Sequence, residues 1–252
     1  MKKLLSIVLC AATASTLAAD ETAATESVLG AVGVTEITSS LQNTIVAVSY
    51  DDLAGGSGMV VSNFVKTTNL TEGDQLAIFN NGEGGEIYDT WVLRENDQKV
   101  LYWAKNDKTF YVDANGLREG EGTSASAVTN AVGTGIWLCR KEKPSGSFKF
   151  YIYGKPSSAT TFTTTAGALM LVGNPKQVPV TVGPTTVTGA EQGDQVVAVD
   201  EAGKLCYYTF LNSTKGWCTT KADGSWDFDK PPTLPAGCGC WIRTAKAATI
   251  NW

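Results

Sequence analysis

The chain contains no histidine, so a Ser-His-Asp or Cys-His relay is absent, and so is the commonest transition-metal ligand. Acid–base chemistry is left to carboxylates. A glycosidase needs two carboxyls facing one cleft at about 5 to 9.5 Å. The candidates Asp51, Asp52, Glu83, Glu86, Glu119, Glu121, Asp227 and Asp229 all fall in turn-forming stretches, where solvent access accounts for an acid without catalysis. The expectation is a non-enzymatic protein with no catalytic residue and no cofactor. The stretch "DANGLREGE" at 113–121 places Asp113 and Asn115 as a calcium loop would, but glycine comes at its fourth position and leucine at its fifth. A hairpin turn is expected there instead.

Thiols are the second reactive class. Beyond the first nineteen residues these are Cys139, Cys206, Cys218, Cys238 and Cys240. Cys238-Gly239-Cys240 lacks the two-residue gap of a zinc ribbon, and no histidine exists to complete a mixed site, so no metal is expected. In an exported chain, bridges from Cys206 or Cys218 to Cys238 or Cys240 would staple the last third of the molecule. Spacing leaves their connectivity open, and one thiol is left over for intermolecular pairing.

Aromatic side chains are the third class. Sugar sites use exposed ring faces flanked by amides and carboxylates, and Trp91, Tyr102, Trp103, Tyr151, Tyr153 and Trp226 are the candidate ligand-binding residues. Adjacent Tyr102 and Trp103 point to opposite faces of an extended strand, whereas Tyr151 and Tyr153 share one. The competing reading is that these rings fill a core.

Residues 1–19, "MKKLLSIVLCAATASTLAA", have a basic start, a short apolar stretch and small residues up to Ala19. That is the design of a secretory signal peptide, too short for a comfortable transmembrane helix. The whole chain has 20 basic and 25 acidic residues, a formal charge of −5. Loss of Lys2 and Lys3 with the leader makes it more acidic, which argues against nucleic acid as a partner.

The elements that must position these groups read as β throughout. "TIVAVSY" (44–50), "DQLAIF" (74–79), "YDTWVL" (88–93), "KVLYWA" (99–104), "GIWLCR" (135–140) and "FKFYIYG" (148–154) are short and rich in β-branched and aromatic residues. So are "ALMLVG" (168–173), "DQVVAV" (194–199), "LCYYTFL" (205–211) and "CWIRT" (240–244). Turn formers such as Asn115-Gly116 and Asp223-Gly224 separate them. The predicted class is all-β, an antiparallel sandwich or barrel.

An internal repeat organises these strands. "EGDQLAIF" (72–79) answers "QGDQVVAV" (192–199), Trp103 answers Trp217, and "GTGIW" (133–137) answers "GCGCW" (237–241). "TIVAVSY" (44–50) before the first likewise answers "ALMLVGN" (168–174) before the second, and four landmarks in one order imply two copies of a single β unit, placed at 44–160 and 161–252. Gly73-Asp74 and Gly193-Asp194 read as turns entering a buried strand. Gly135 and Gly239 read as sites of close backbone approach, and Trp137 and Trp241 as core anchors.

The pieces "VKTTNLTEGDQLAIF" (65–79), "ALMLVGNP" (168–175) and "LPAGCGCWIR" (234–243) resemble segments of secreted, uncharacterised β-rich surface proteins of Gram-negative bacteria. In these an aliphatic-Gly-Asn-Pro turn recurs and a Pro-x-Gly-x-Gly-aromatic strand ends each unit. The resemblance implies an extracytoplasmic β module and carries over no catalytic residue. The first copy departs from it, with Ala131-Val132 in place of the Pro-containing turn and Ser49-Tyr50-Asp51 where Gly-Asn-Pro would stand.

Residues 20–43 are rich in small residues and lack aromatics. They read as a flexible extension with weak β character at Val28–Ile37, able to add as a strand to a neighbour's sheet edge. The expectation is therefore a secreted or cell-surface protein, structural or adhesive, whose partners are further copies of itself. A carbohydrate-binding module is the second reading and a carboxylate-based glycosidase the third.

Overall fold

The computed structural model describes residues 32–53, 55–61, 70–79, 88–95, 99, 101–105, 111–113, 116–118, 128–159, 161–200 and 203–252, with 111–113 and 116–118 described by backbone alone. The signal-peptide segment, most of the 20–43 extension, and Glu83, Glu86, Glu119 and Glu121 lie outside the described residues. Residues Gly33–Trp252 form one unit.

The first copy contains β1 (Gly33–Ser39), β2 (Asn43–Ala47), β3 (Tyr50–Asp51), β4 (Met59–Val60), β5 (Gln75–Phe79), β6 (Tyr88–Glu95), β7 (Leu101–Lys105), β8 (Tyr111–Asp113), β9 (Gly116–Arg118), β10 (Thr129–Asn130), β11 (Gly135–Cys139) and β12 (Phe148–Pro156). The second contains β13 (Thr161–Thr163), β14 (Leu169–Gly173), β15 (Val180–Thr181), β16 (Val187–Thr188), β17 (Gln195–Val199), β18 (Leu205–Asn212), β19 (Gly216–Thr220), β20 (Trp226–Asp227), β21 (Thr233–Leu234), β22 (Gly239–Arg243) and β23 (Thr249–Asn251). The protein is all-β.

The repeat is visible in the sheet order. Copy one forms the sheet β2-β11-β5-β6-β7, and copy two forms β14-β22-β17-β18-β19 with β20 added at the edge. Within each copy this large sheet is joined by a three-stranded sheet, β1-β12-β3 or β13-β23-β16, and by a strand pair, β4-β10 or β15-β21. Pairings among the described strands are antiparallel, and β8 pairs with β9, with Asp113 opposite Gly116.

Each copy has its own apolar cluster. The first gathers Leu76, Trp91, Leu93, Ile136, Phe150 and Ile152; the second gathers Val196, Phe210, Trp217, Ile242, Ile250 and Trp252. Alternation along β11 explains the sorting. Ile136 and Leu138 enter the first cluster, while Trp137 points the other way.

Two expectations are corrected here. Residues 33–39 are not part of a flexible tail: β1 pairs with β12 of the same chain through seven residues, from Gly33 opposite Gly154 to Ser39 opposite Phe148. Its alternating Thr35, Ile37 and Ser39 are buried, which is why this stretch folds back on its own chain. Trp137 and Trp241 are not core anchors either. They lie on the sheet faces opposite the two clusters, half-buried, and meet each other.

The two large sheets face each other across β2, β11, β14 and β22. The joint is reciprocal: the Ala47 amide donates to the Gly237 carbonyl at 2.8 Å, and the Gly173 amide donates to the Gly133 carbonyl at 2.8 Å. Val46 bridges to Cys238, and Thr134 to Val172. Side chains at the crossing are small because space is lacking. A Cβ on Gly135 would lie 2.8 Å from the Val172 carbonyl oxygen, and one on Gly239 would strike that same atom.

Candidate functional site

The buried carboxylates are structural. Gly73 and Gly193 both have a φ of +95°, a left-handed conformation that glycine adopts without strain. Each turn delivers an aspartate into the interior. Asp74 accepts hydrogen bonds from the backbone amides of Thr71 and Lys141, at 2.9 Å each. Asp194 accepts from those of Glu191 and Ala245, at 2.8 Å each. In both copies the carboxylate thus ties the strand's entry turn to the second residue beyond β11 or β22. Asp74 differs by an ion pair with Arg140 Nε at 2.8 Å, and the Arg140 guanidinium also lies 4.5 Å over the Phe148 ring.

Of the remaining acids, Asp51 accepts from the Gly58 amide at 2.6 Å and Asp227 from the Asp229 amide at 3.1 Å. Both close turns. Asp52 is buried, against the solvated context expected of it.

None of the five described thiols is bridged, which corrects the expected disulfides. Cys206 on β18 and Cys240 on β22 are separated by β17. Two interstrand steps of about 4.8 Å exceed the Cα separation of about 7 Å that a disulfide tolerates. Cys218 lies opposite Thr209, three residues along β18 from Cys206. Cys238 packs against the first cluster and Cys240 belongs to the second. Burial pushes the thiols of Cys139 and Cys238 up to about 11 and that of Cys240 up to about 12, so these sulfurs are protonated at neutral pH and poor nucleophiles.

The aromatic candidates divide. Trp91 and Trp103 are buried in the first cluster and offer no open face, so they are withdrawn as ligand-binding residues. Tyr102 is half-buried on β7. Tyr151, 39% exposed, and half-buried Tyr153 share the outer face of β12. There the Tyr151 hydroxyl donates to Glu36 at 3.3 Å, and Lys149 pairs with the same carboxylate at 2.9 Å. Trp226 is 45% exposed on the edge strand β20. Sequence reasoning passed over Tyr207, which at 64% is the most exposed of the large apolar residues. It lies within "LCYYTFL", where alternation places it opposite to the core-facing Tyr208 and Phe210.

A pocket of about 230 Å³ opens at the joint between the copies, walled by Ile37, Leu41, Ile45, Val199, Pro235 and Cys238. Nothing in the sequence marks it, because it depends on how the copies meet. Among the described residues no group of acids and thiols is arranged to hold a metal ion, and no helix is long and apolar enough to cross a membrane.

No protein-family model matches this sequence, and comparison with curated proteins and with solved structures found no significant match.

Proposed function

We propose that the chain is an exported, non-enzymatic β protein that acts at or outside the cell surface as a structural or adhesive component. The observation that carries this reading is the reciprocal joint between the copies. Two β units are fastened into one body by paired backbone hydrogen bonds at Gly133 and Gly237, and the most deeply buried carboxylates, Asp74 and Asp194, are spent on holding strand ends together. Such an arrangement maintains shape and presents surface. The leader-like residues 1–19 support export.

The test is native mass spectrometry of the secreted, non-reduced protein, with and without residues 20–32. The truncation stops before Gly33 because β1 belongs to the fold. Concentration-dependent assemblies support a structural subunit. A monomer at every concentration with no affinity for cell surfaces removes the reading.

A second reading is favoured by one place on the first copy. Tyr151 and Tyr153, on one open sheet face beside Glu36, combine ring surface with a carboxylate as a sugar site does. Binding on a glycan array that is lost in Tyr151→Ala would support it.

A further inference from the structure

One face of the second copy's large sheet changes character across its width. Register sets Leu171, Trp241, Val197 and Tyr207 side by side on β14, β22, β17 and β18. Thr209 lies opposite Cys218, so the same register continued brings Thr220 of β19 beside Tyr207, and Thr220 pairs with Trp226 of β20. Directly opposite residues share a face, so a single row crosses all six strands. Its first members are covered where the copies meet: Leu171 is buried, and Trp241 touches Trp137. Its far end is open. Tyr207 and Trp226 are exposed there, and so is Leu205, two residues away on β18 and therefore on the same face. The repeat demands neither ring. The pairing that sets Val197 opposite Tyr207 sets Ala77 opposite Thr90 in the first copy, so a half-buried threonine stands where the tyrosine does. Trp226 is carried by β20, the strand by which the second sheet exceeds the first.

We propose that this strip binds an extended, uncharged β-1,4-linked glycan, with Tyr207 and Trp226 each stacking on one of its sugar rings. Every side chain that β17 to β20 place on this face is uncharged, and Gln195, Thr209 and Thr220 set an amide and two hydroxyls among the apolar groups. Aromatic faces for the C–H surface of a sugar, with neutral hydrogen-bonding groups for its hydroxyls, suit a neutral carbohydrate. Spacing selects the linkage. Tyr207 and Trp226 stand two strand steps apart, about 9.6 Å. In an extended β-1,4-linked chain each sugar is turned over relative to the last, so like faces recur at every second unit, a repeat that matches this distance. Area argues against another protein chain as the occupant. Leu205, Tyr207 and Trp226 are 42, 64 and 45% exposed, and side chains of about 150–250 Å² exposed to that extent present roughly 300 Å² in all. A stable protein interface takes about 800 Å² from each partner, whereas an apolar patch of about 300–600 Å² is the size of a functional one on a monomer. The proposal rests on the adhesive side of the reading above and names what the surface would hold.

Titration calorimetry of the secreted chain with cellohexaose, chitohexaose and maltohexaose tests it. At least one of the two β-1,4-linked hexaoses is expected to bind, and maltohexaose, whose α-1,4 linkages coil the chain, is not. Tyr207→Ala and Trp226→Ala are each expected to weaken binding by about tenfold or more, while Tyr207→Phe, which keeps the ring, retains most of it. Both rings are exposed, so neither alanine variant is expected to shift the urea midpoint, which separates lost binding from lost folding. Tyr151→Ala on the first copy is expected to leave the affinity unchanged; loss of binding there instead would overturn the strip as the site. Binding that neither Tyr207→Ala nor Trp226→Ala weakens overturns the proposal as well. A wild-type chain that adheres to cells but binds neither β-1,4-linked hexaose overturns the proposal and leaves the adhesive reading standing. A chain that neither adheres, associates nor binds them overturns both. Association between chains that Trp226→Ala weakens, with no hexaose bound, would make another chain the occupant and overturn the glycan.

Discussion

Trp137 and Trp241 meet edge to face, with ring centroids 5.5 Å apart and planes inclined at 83°. They are the same residue of the repeat, one from each copy. Their contact accounts for the Gly-x-Gly pattern preceding each, because β11 and β22 must pass close to β14 and β2 before the rings can touch. Truncating either ring to alanine is expected to cost about 3 kcal/mol, with a coupling between the two of about 0.5–1.5 kcal/mol beyond the burial of area. A double-mutant cycle by chemical denaturation measures it. Additive losses would mean that the rings merely share a neighbourhood.

Asp74 and Asp194 do the same work with unequal partners. Each ties down two backbone amides, but only Asp74 also faces Arg140. Thr244 follows β22 where Arg140 follows β11, and its hydroxyl instead shares a 2.7 Å hydrogen bond with that of Thr164. Replacing Asp74 by asparagine leaves a nearly buried guanidinium uncompensated, and about 3–5 kcal/mol is the expected loss. Asp194→Asn weakens hydrogen bonds without stranding a charge and is expected to cost about 1–3 kcal/mol. Urea titration of the two variants separates them; equal losses would remove Arg140 from the account.

The thiols set an alkaline limit on stability. An unfolded chain gives up its thiol protons at about pH 8.5 to 9, whereas the folded chain holds those of Cys139 and Cys238 to about 11 and that of Cys240 to about 12. Above pH 9 ionisation therefore favours the unfolded state, so stability present below that pH is lost as pH rises toward the folded values. Melting temperature measured from pH 7 to 11 is expected to hold and then fall. Cys240→Val is expected to flatten part of the fall. With no bridge among the described thiols, dithiothreitol is expected to leave the curve unchanged.

How much of this was legible depended on the range of the interaction. Alternation and turn formers are local, so the all-β class and the two copies could be read directly: Gly73-Asp74-Gln75 and Gly193-Asp194-Gln195 open β5 and β17 at matching places in matching sheets. The direction in which Trp137 points was misread because alternation gives two faces and does not say which is the core. Here both faces of β11 are covered, one by its own copy's core and the other by the second copy. The cysteines misled through composition, since an exported chain permits bridges but strand order decides whether any two sulfurs can meet. The pocket was invisible altogether. Its walls come from β1, β2 and the turn between them in the first copy and from the ends of β17, β21 and β22 in the second, so it exists only where the copies meet.

The strand β1 carries the last prediction, because it separates a folded element from a tail. Ile37 is buried in the first cluster, whereas Val34 on the same strand is exposed. If residues 33–39 lie along β12 as an integral strand, Ile37→Ala removes buried methyls and leaves a cavity, an expected loss of about 2–5 kcal/mol. Val34→Ala is expected to stay within about 0.5 kcal/mol. Hydrogen exchange of the Gly33–Ser39 amides reports independently: those donating to β12 are expected to be protected to nearly the same degree as the amides of β11. Equal, small effects of both substitutions together with rapid exchange would return this segment to the extension and leave Phe150 and Ile152 in need of another cover.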